Sequence, residues 1–197
     1  MFESLKNKLI VMRNLEFEIH PFSEAFYVES LFNKTRSILN DVESLNKFWK
    51  NGNHDCKNDN AILDLLQNII LNVGGISRFF WPPSKDVYHK RRGEKLREVY
   101  HVSDSSILKN RDMRNLMEHF DEKLDDFLQK NERYKVMQKY VGPLSYVDDN
   151  RTFFRAYFYD KQVFKMLNVE YKIKPIVDEI RRIHQILLLQ KENRGRF

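Results

Sequence analysis

One cysteine, six glycines and five prolines in 197 residues leave the chain poor in the residues that staple, bend or break a backbone. Cys56 stands alone in the polar stretch GNHDCKNDN, so no intramolecular disulfide can form. A lone thiol there suggests neither a metal cluster nor a thiol catalyst. No glycine-rich phosphate loop, GxSxG elbow, HExxH helix or paired-cysteine metal motif occurs. No metal or cofactor is therefore expected, and His54 with Asp55 and Cys56 is the nearest approach to a ligand set. Apolar runs such as Ile69 to Leu71 and Ile186 to Leu189 fall far short of the roughly 20 residues needed to span a bilayer. No membrane association is expected. The opening MFESLKNKLIVMRN has charges inside its apolar stretch and no small-residue cleavage site, which makes the cytoplasm the expected location.

What is present is ordinary globular material, with 42% hydrophobic and 31% charged residues. The length suits one domain with a real core, residues 1–197. A net charge of +6 and a pI near 9.3 favour polyanionic partners, RNA among them.

The chain alternates between helical and extended patterns. Residues 2–12 fit a short helix, and Leu15, Phe17 and Ile19 alternate with polar residues as in a strand or extended arm stopped by Pro21. From Ser23 a stripe of Val28, Leu31, Phe32, Ile38, Leu39, Val42, Leu45 and Trp49 predicts a long helix ending near Asn51 and Gly52. A second helix carries Ile62, Leu66, Ile69, Ile70 and Val73, with Gly74 and Gly75 marking either a close helix approach or a break. Residues 103–131 read as one long amphipathic helix, capped by Ser103 or Asp104, whose core face is Met113, Leu116, Met117, Phe120, Leu124, Phe127 and Leu128. TFFRAYFY and VFKML around Asp160 and Lys161 predict an antiparallel hairpin over 152–158 and 163–167, which VEYKI extends. Pro175 suits the first turn of a last helix bearing Ile176, Ile180, Ile183 and Leu187; His184 beside that stripe reads as structural. The expected fold is mainly α, a helical bundle with a small antiparallel β-hairpin near the C-terminus, the hairpin and last helix forming an appendage at about 150–197.

Two regions carry candidate chemistry. Residues 84–102 are the most cationic, with Lys90, Arg91, Arg92 and Lys95 interleaved with Tyr88, His89, Tyr100 and His101. Basic and aromatic side chains together are what a surface needs to follow a phosphate backbone and stack on bases, although the same residues also suit a solvated helix packed by its tyrosines. The second region is the segment RNLMEH. On an unbroken helix Asp112, Asn115, His119 and Glu122 fall on one edge, and the long side chain of Arg114 can reach His119.

The Arg114, Asn115 and His119 pattern resembles the Arg-x4-6-His signature of HEPN-domain proteins, helical nucleotide-binding proteins many of which are metal-independent ribonucleases. The resemblance covers this motif and, more loosely, Ser23 to Asn131. A second match, Arg13 to His20, lies in the segment that alternates as an extended arm, where its side chains would share no helix edge. The resemblance implies RNA cleavage by transesterification, with His119 moving the proton, Arg114 holding the scissile phosphate and Asn115 orienting either; it also implies a homodimer. Asp121 occupies the place where the toxin-like branch of the family has tyrosine, so regulation through that residue does not carry over. The alternative is a non-catalytic helical module that binds a protein or a nucleic acid, and a third class is a binder of small nucleotides that uses the same arginine.

Overall fold

The computed structural model describes residues 17–49, 56–148 and 150–192. The short helix expected over residues 2–12 lies outside them, as do Leu15, Asn51, Gly52, His54 and Asp55. Six α-helices among the described residues precede, flank and follow a four-stranded sheet: α1 (Pro21–Lys47), α2 (Asp59–Phe80), α3 (Val87–Val99), α4 (Arg111–Glu118), α5 (Phe120–Lys130), β1 (Val136–Gly142), β2 (Thr152–Phe158), β3 (Val163–Met166), β4 (Val169–Lys172) and α6 (Ile173–Glu192).

Residues 17–20 form no strand; Pro21 opens α1, where its fixed φ suits the first turn, and His20 Nδ1 accepts the Phe22 N–H at 3.2 Å. α1 packs against both α2 and α6. Leu31, Ile38, Ile62, Leu66, Ile69, Ile180, Ile183 and Leu187 are wholly buried between them. Each such side chain contributes about 1.5–3 kcal/mol by leaving water. The last helix is therefore part of the core and not an appendage. Gly74 and Gly75 leave α2 unbroken, and the Lys34 side chain of α1 crosses over Gly75, its Nζ 3.0 Å from where a Cβ there would stand. His184 is the structural residue its position suggests. Its ring stacks on Phe32, and its Nδ1 lies 2.8 Å from Thr35 Oγ1. Because the Thr35 hydroxyl donates to the Leu31 and Phe32 carbonyls, it accepts from Nδ1–H, which fixes the tautomer.

The hairpin is present and larger than expected. β2 pairs antiparallel with β3, β3 with β4, and β2 also pairs parallel with β1. β1 has little sequence signature because Met137, Gln138 and Lys139 are all exposed on this edge strand, which erases alternation.

The single helix expected over 103–131 is a 3₁₀ turn and two helices. Ser106 Oγ accepts the Leu108 N–H at the start of that turn, and Asn110 Oδ1 caps α4 by accepting the Asp112 N–H at 2.7 Å. The helix breaks at His119, whose φ of −132° and ψ of 36° leave the α region. Re-aiming the chain there lets α4 bury Met113 and sets Phe120, at the start of α5, 6.3 Å from Phe154 of the sheet. A continuous apolar period hides such a break, because it is the destination of each half that changes.

Candidate nucleic-acid interface

Arg114, Asn115 and His119 all sit on or at the end of α4. Asn115 is half-buried, and its carbonyl accepts the His119 N–H at 3.3 Å. His119 ends α4 and begins α5, its own carbonyl accepting the Lys123 N–H at 3.0 Å. Its exposed imidazole points Nδ1 at the Glu122 carboxylate, 3.3 Å away. A carboxylate at Nδ1 orients the ring and leaves Nε2 as the nitrogen to meet a substrate. The expected polar edge does not form as one line, since the break at His119 interrupts it. Asp112 lies toward Tyr171, whose phenol is pushed up first by burial and then by that carboxylate. Asn115 faces elsewhere.

It faces a cleft of about 520 Å³ between the end of α2 and the entry to α4, lined by Arg78, Trp81, Pro82, Pro83, Lys109, Arg111 and Asn115. Among the described side chains of the motif, Asn115 lines the cleft and His119 does not. Among the described residues lining this space three are cations, and the Asp104 carboxylate stands beside it, bound to Lys109 and Trp81. At an effective dielectric near 20, each cation attracts an anionic charge 5 Å away by roughly 3 kcal/mol before desolvation is counted. The fold sets the wall firmly. Trp81 cannot continue α2 because Pro82 follows it, and its Nε1 donates to Asp104 at 3.1 Å while the Arg97 guanidinium lies 5.6 Å from its ring centre. Lys109 Nζ donates to the same carboxylate at 2.9 Å. That hydrogen bond, followed by the one from Trp81, holds the Asp104 carboxyl below the usual range. Arg111 is exposed at the mouth.

Within the cationic run of 84–102, Val87–Val99 form α3, capped by Asp86 Oδ1 on the Tyr88 and His89 N–H groups. Its residues divide. Arg92 lies 5.5 Å from the Tyr27 ring and 5.7 Å from that of Phe79, and its Nη2 donates to the Arg78 carbonyl at 3.3 Å. Arg97 Nη1 donates to the Phe80 carbonyl. Two arginines thus satisfy carbonyls at the C-terminus of α2, where its dipole is negative. Lys95 pairs with Glu98 at 3.4 Å, while Lys90 and Arg91 are exposed. Gly93 makes the docking possible: a Cβ there would stand 2.7 Å from both the Phe80 carbonyl oxygen and Pro82 Cδ. Lys90, Gly93 and Arg97, spaced by three and four, share the face of α3 turned to Pro82 and Trp81.

Arg78, Trp81, Lys109 and Arg111 escape sequence reasoning because they come from separate elements as single residues with no common period. The one local signal is Trp81-Pro82-Pro83, a forced helix stop beside an aromatic. Among the described residues no three His, Cys, Asp or Glu side chains gather as a metal site requires, and no helix is long and apolar enough to cross a membrane. Comparison with known proteins gives no matching family model, no matching curated protein and no matching solved structure.

Proposed function

We propose that the protein binds single-stranded RNA at the cleft between α2 and α4. The carrying observation is the convergence of Arg78, Lys109 and Arg111 with Trp81 and Asn115 around one open space. Cations neutralise phosphates with release of counterions, and an aromatic wall offers a surface on which any base can stack. Lys90, on the face of α3 turned toward Trp81, extends the positive path, and Arg91 adds charge on the same helix. Arg92 and Lys95 serve the fold in this reading. A second reading, metal-independent RNA cleavage by Arg114, Asn115 and His119 in a HEPN-like homodimer, is favoured by the Glu122 carboxylate at His119 Nδ1. There His119 Nε2 takes the 2′-hydroxyl proton or returns one to the leaving oxygen, and Arg114 stabilises the phosphate.

One set of samples tests both. Fluorescence anisotropy on a labelled single-stranded RNA should show Lys109→Gln with Arg111→Gln weakening binding about tenfold or more and lowering the salt slope by about 1.4, two contacts at roughly 0.7 each. Lys90→Gln with Arg91→Gln should cost only about two- to threefold, as outlying phosphate contacts do. An unchanged affinity in the cleft variant removes the cleft from the reading. Gels of the same mixtures in EDTA read the chemistry: cleavage by wild type that His119→Ala abolishes supports the nuclease, and intact RNA throughout leaves binding alone.

A further inference from the structure

The cleft, about 520 Å³ and lined by three cations, is on the scale of one nucleotide. We infer that it recognises the phosphorylated end of an RNA chain, a terminal phosphomonoester, in preference to internal phosphodiesters; this deepens the RNA-binding reading and rests on it. Three observations support the assignment. A volume of about 520 Å³ lies in the range that encloses a single small ligand. Three cations from three elements, Arg78 on α2, Lys109 on the 3₁₀ turn and Arg111 at the start of α4, line that single space. A diester offers two free oxygens and one negative charge, whereas a monoester offers three oxygens and a charge of about −1.5 to −2 at neutral pH. Only the monoester gives each cation an oxygen of its own.

The third observation is the Asp104 carboxylate, which binds Lys109 Nζ at 2.9 Å and lies 4.0 Å from Arg97 Nε. A singly charged phosphate must compete with that carboxylate for the lysine on equal terms, while a dianion outcompetes it. Asp104 thus acts as a threshold on ligand charge. Trp81, held in plane by its bond to Asp104 and by Arg97, then supplies the wall for the terminal base, and Asn115 faces the same space with an amide that can both donate and accept.

The test uses the whole chain and one internally labelled ten-nucleotide RNA made in three forms: 5′-phosphate, 3′-phosphate, and hydroxyl at both ends. At pH 7.5 one phosphorylated form should bind about tenfold tighter than the hydroxyl form, the order expected of a charge-assisted contact, and the two arms identify which end is read. Arg111→Gln, a change at an exposed residue, should erase most of that ratio. The preference should shrink at pH 5.5, below the second phosphate ionisation near 6. Equal binding of all three forms, with Arg111→Gln weakening each alike, overturns end recognition and leaves RNA binding by the cleft intact. A preference that Arg111→Gln does not touch overturns the placement of the end in this cleft. Binding of none overturns both readings.

Discussion

Positive charge on α3 and positive charge in the cleft have opposite surroundings. On α3 the cations are neighbours in sequence, yet Arg92 and Arg97 turn back onto the carbonyl end of α2, and Lys95 is met by Glu98. In the cleft the cations stand at 78, 109 and 111, the first some thirty residues from the other two, and face an open volume, Lys109 while also bound to Asp104. The first arrangement supports the second: Arg92 is bonded to the carbonyl of Arg78, the residue whose side chain lines the cleft. A run of like charge in a sequence therefore says little about where an external anion goes. What matters is whether the fold turns each cation back onto its own backbone or toward an open volume.

The strongest way to break this comparison is to lift α3 away from α2. Gly93→Ala puts a methyl against a backbone oxygen and a proline ring, neither of which can swing aside. Helix propensity alone would make this change stabilising by up to about 1 kcal/mol. The crowding should reverse the sign, to a loss of about 1–3 kcal/mol in urea denaturation, with RNA affinity falling as Trp81 shifts. A gain in stability would mean that α3 is not seated as described. Asp104→Asn sharpens the comparison from the other side. It keeps an acceptor for Trp81 Nε1 but removes the negative charge beside Lys109, so RNA affinity by anisotropy should rise about threefold, and a fall would show that the carboxylate organises the cleft more than it neutralises it. The smallest effect lies at the end of α3. His101 adopts φ 51° there, with its N–H bonded to the Glu98 carbonyl at 3.1 Å and that of Val102 to Arg97 at 2.8 Å, the paired bonds of a left-handed helix stop. His101→Gly should raise the melting temperature slightly, by about 0.5–1 kcal/mol of stability, and leave RNA binding unchanged.

How much was legible in the sequence follows from how local each signal is. The stripes of α1, α2 and α6 repeat over five or more turns and survive burial, so both their existence and their inward faces could be read directly. The turn at Asp160 and Lys161 is equally local. β1 was not legible, because an exposed edge strand has no reason to alternate. The helix break at His119 was hidden for a different reason: Met113 and Phe127 are both buried, which suits one helix or two. Asn110 is the local clue, a residue type that caps helices, but Ser103 and Asp104 upstream are equally good caps for a single longer helix. The cleft was least legible. Its residues acquire a common purpose only after α2 stops at Trp81 and the chain returns some thirty residues later.

The parallel pairing of β1 with β2 sets a limit on chain length in this part of the molecule. Val136 lies beside Thr152 and Gly142 beside Phe158, so nine residues, 143–151, must carry the chain back the full length of the strand. Six steps at about 3.3 Å make that return roughly 20 Å. Leu144–Tyr146 wind into a 3₁₀ turn, which advances only about 2 Å per residue, so the whole connection reaches roughly 26 Å. The tether has slack for about two residues. Its first turn is fastened by Tyr140 Oη donating to the Pro143 carbonyl at 2.9 Å and by the Leu144 N–H on Asp160 Oδ1 at 2.9 Å. Lengthening this connection costs little, since closure entropy grows only with the logarithm of length, whereas shortening it by three residues would pull β1 off the sheet.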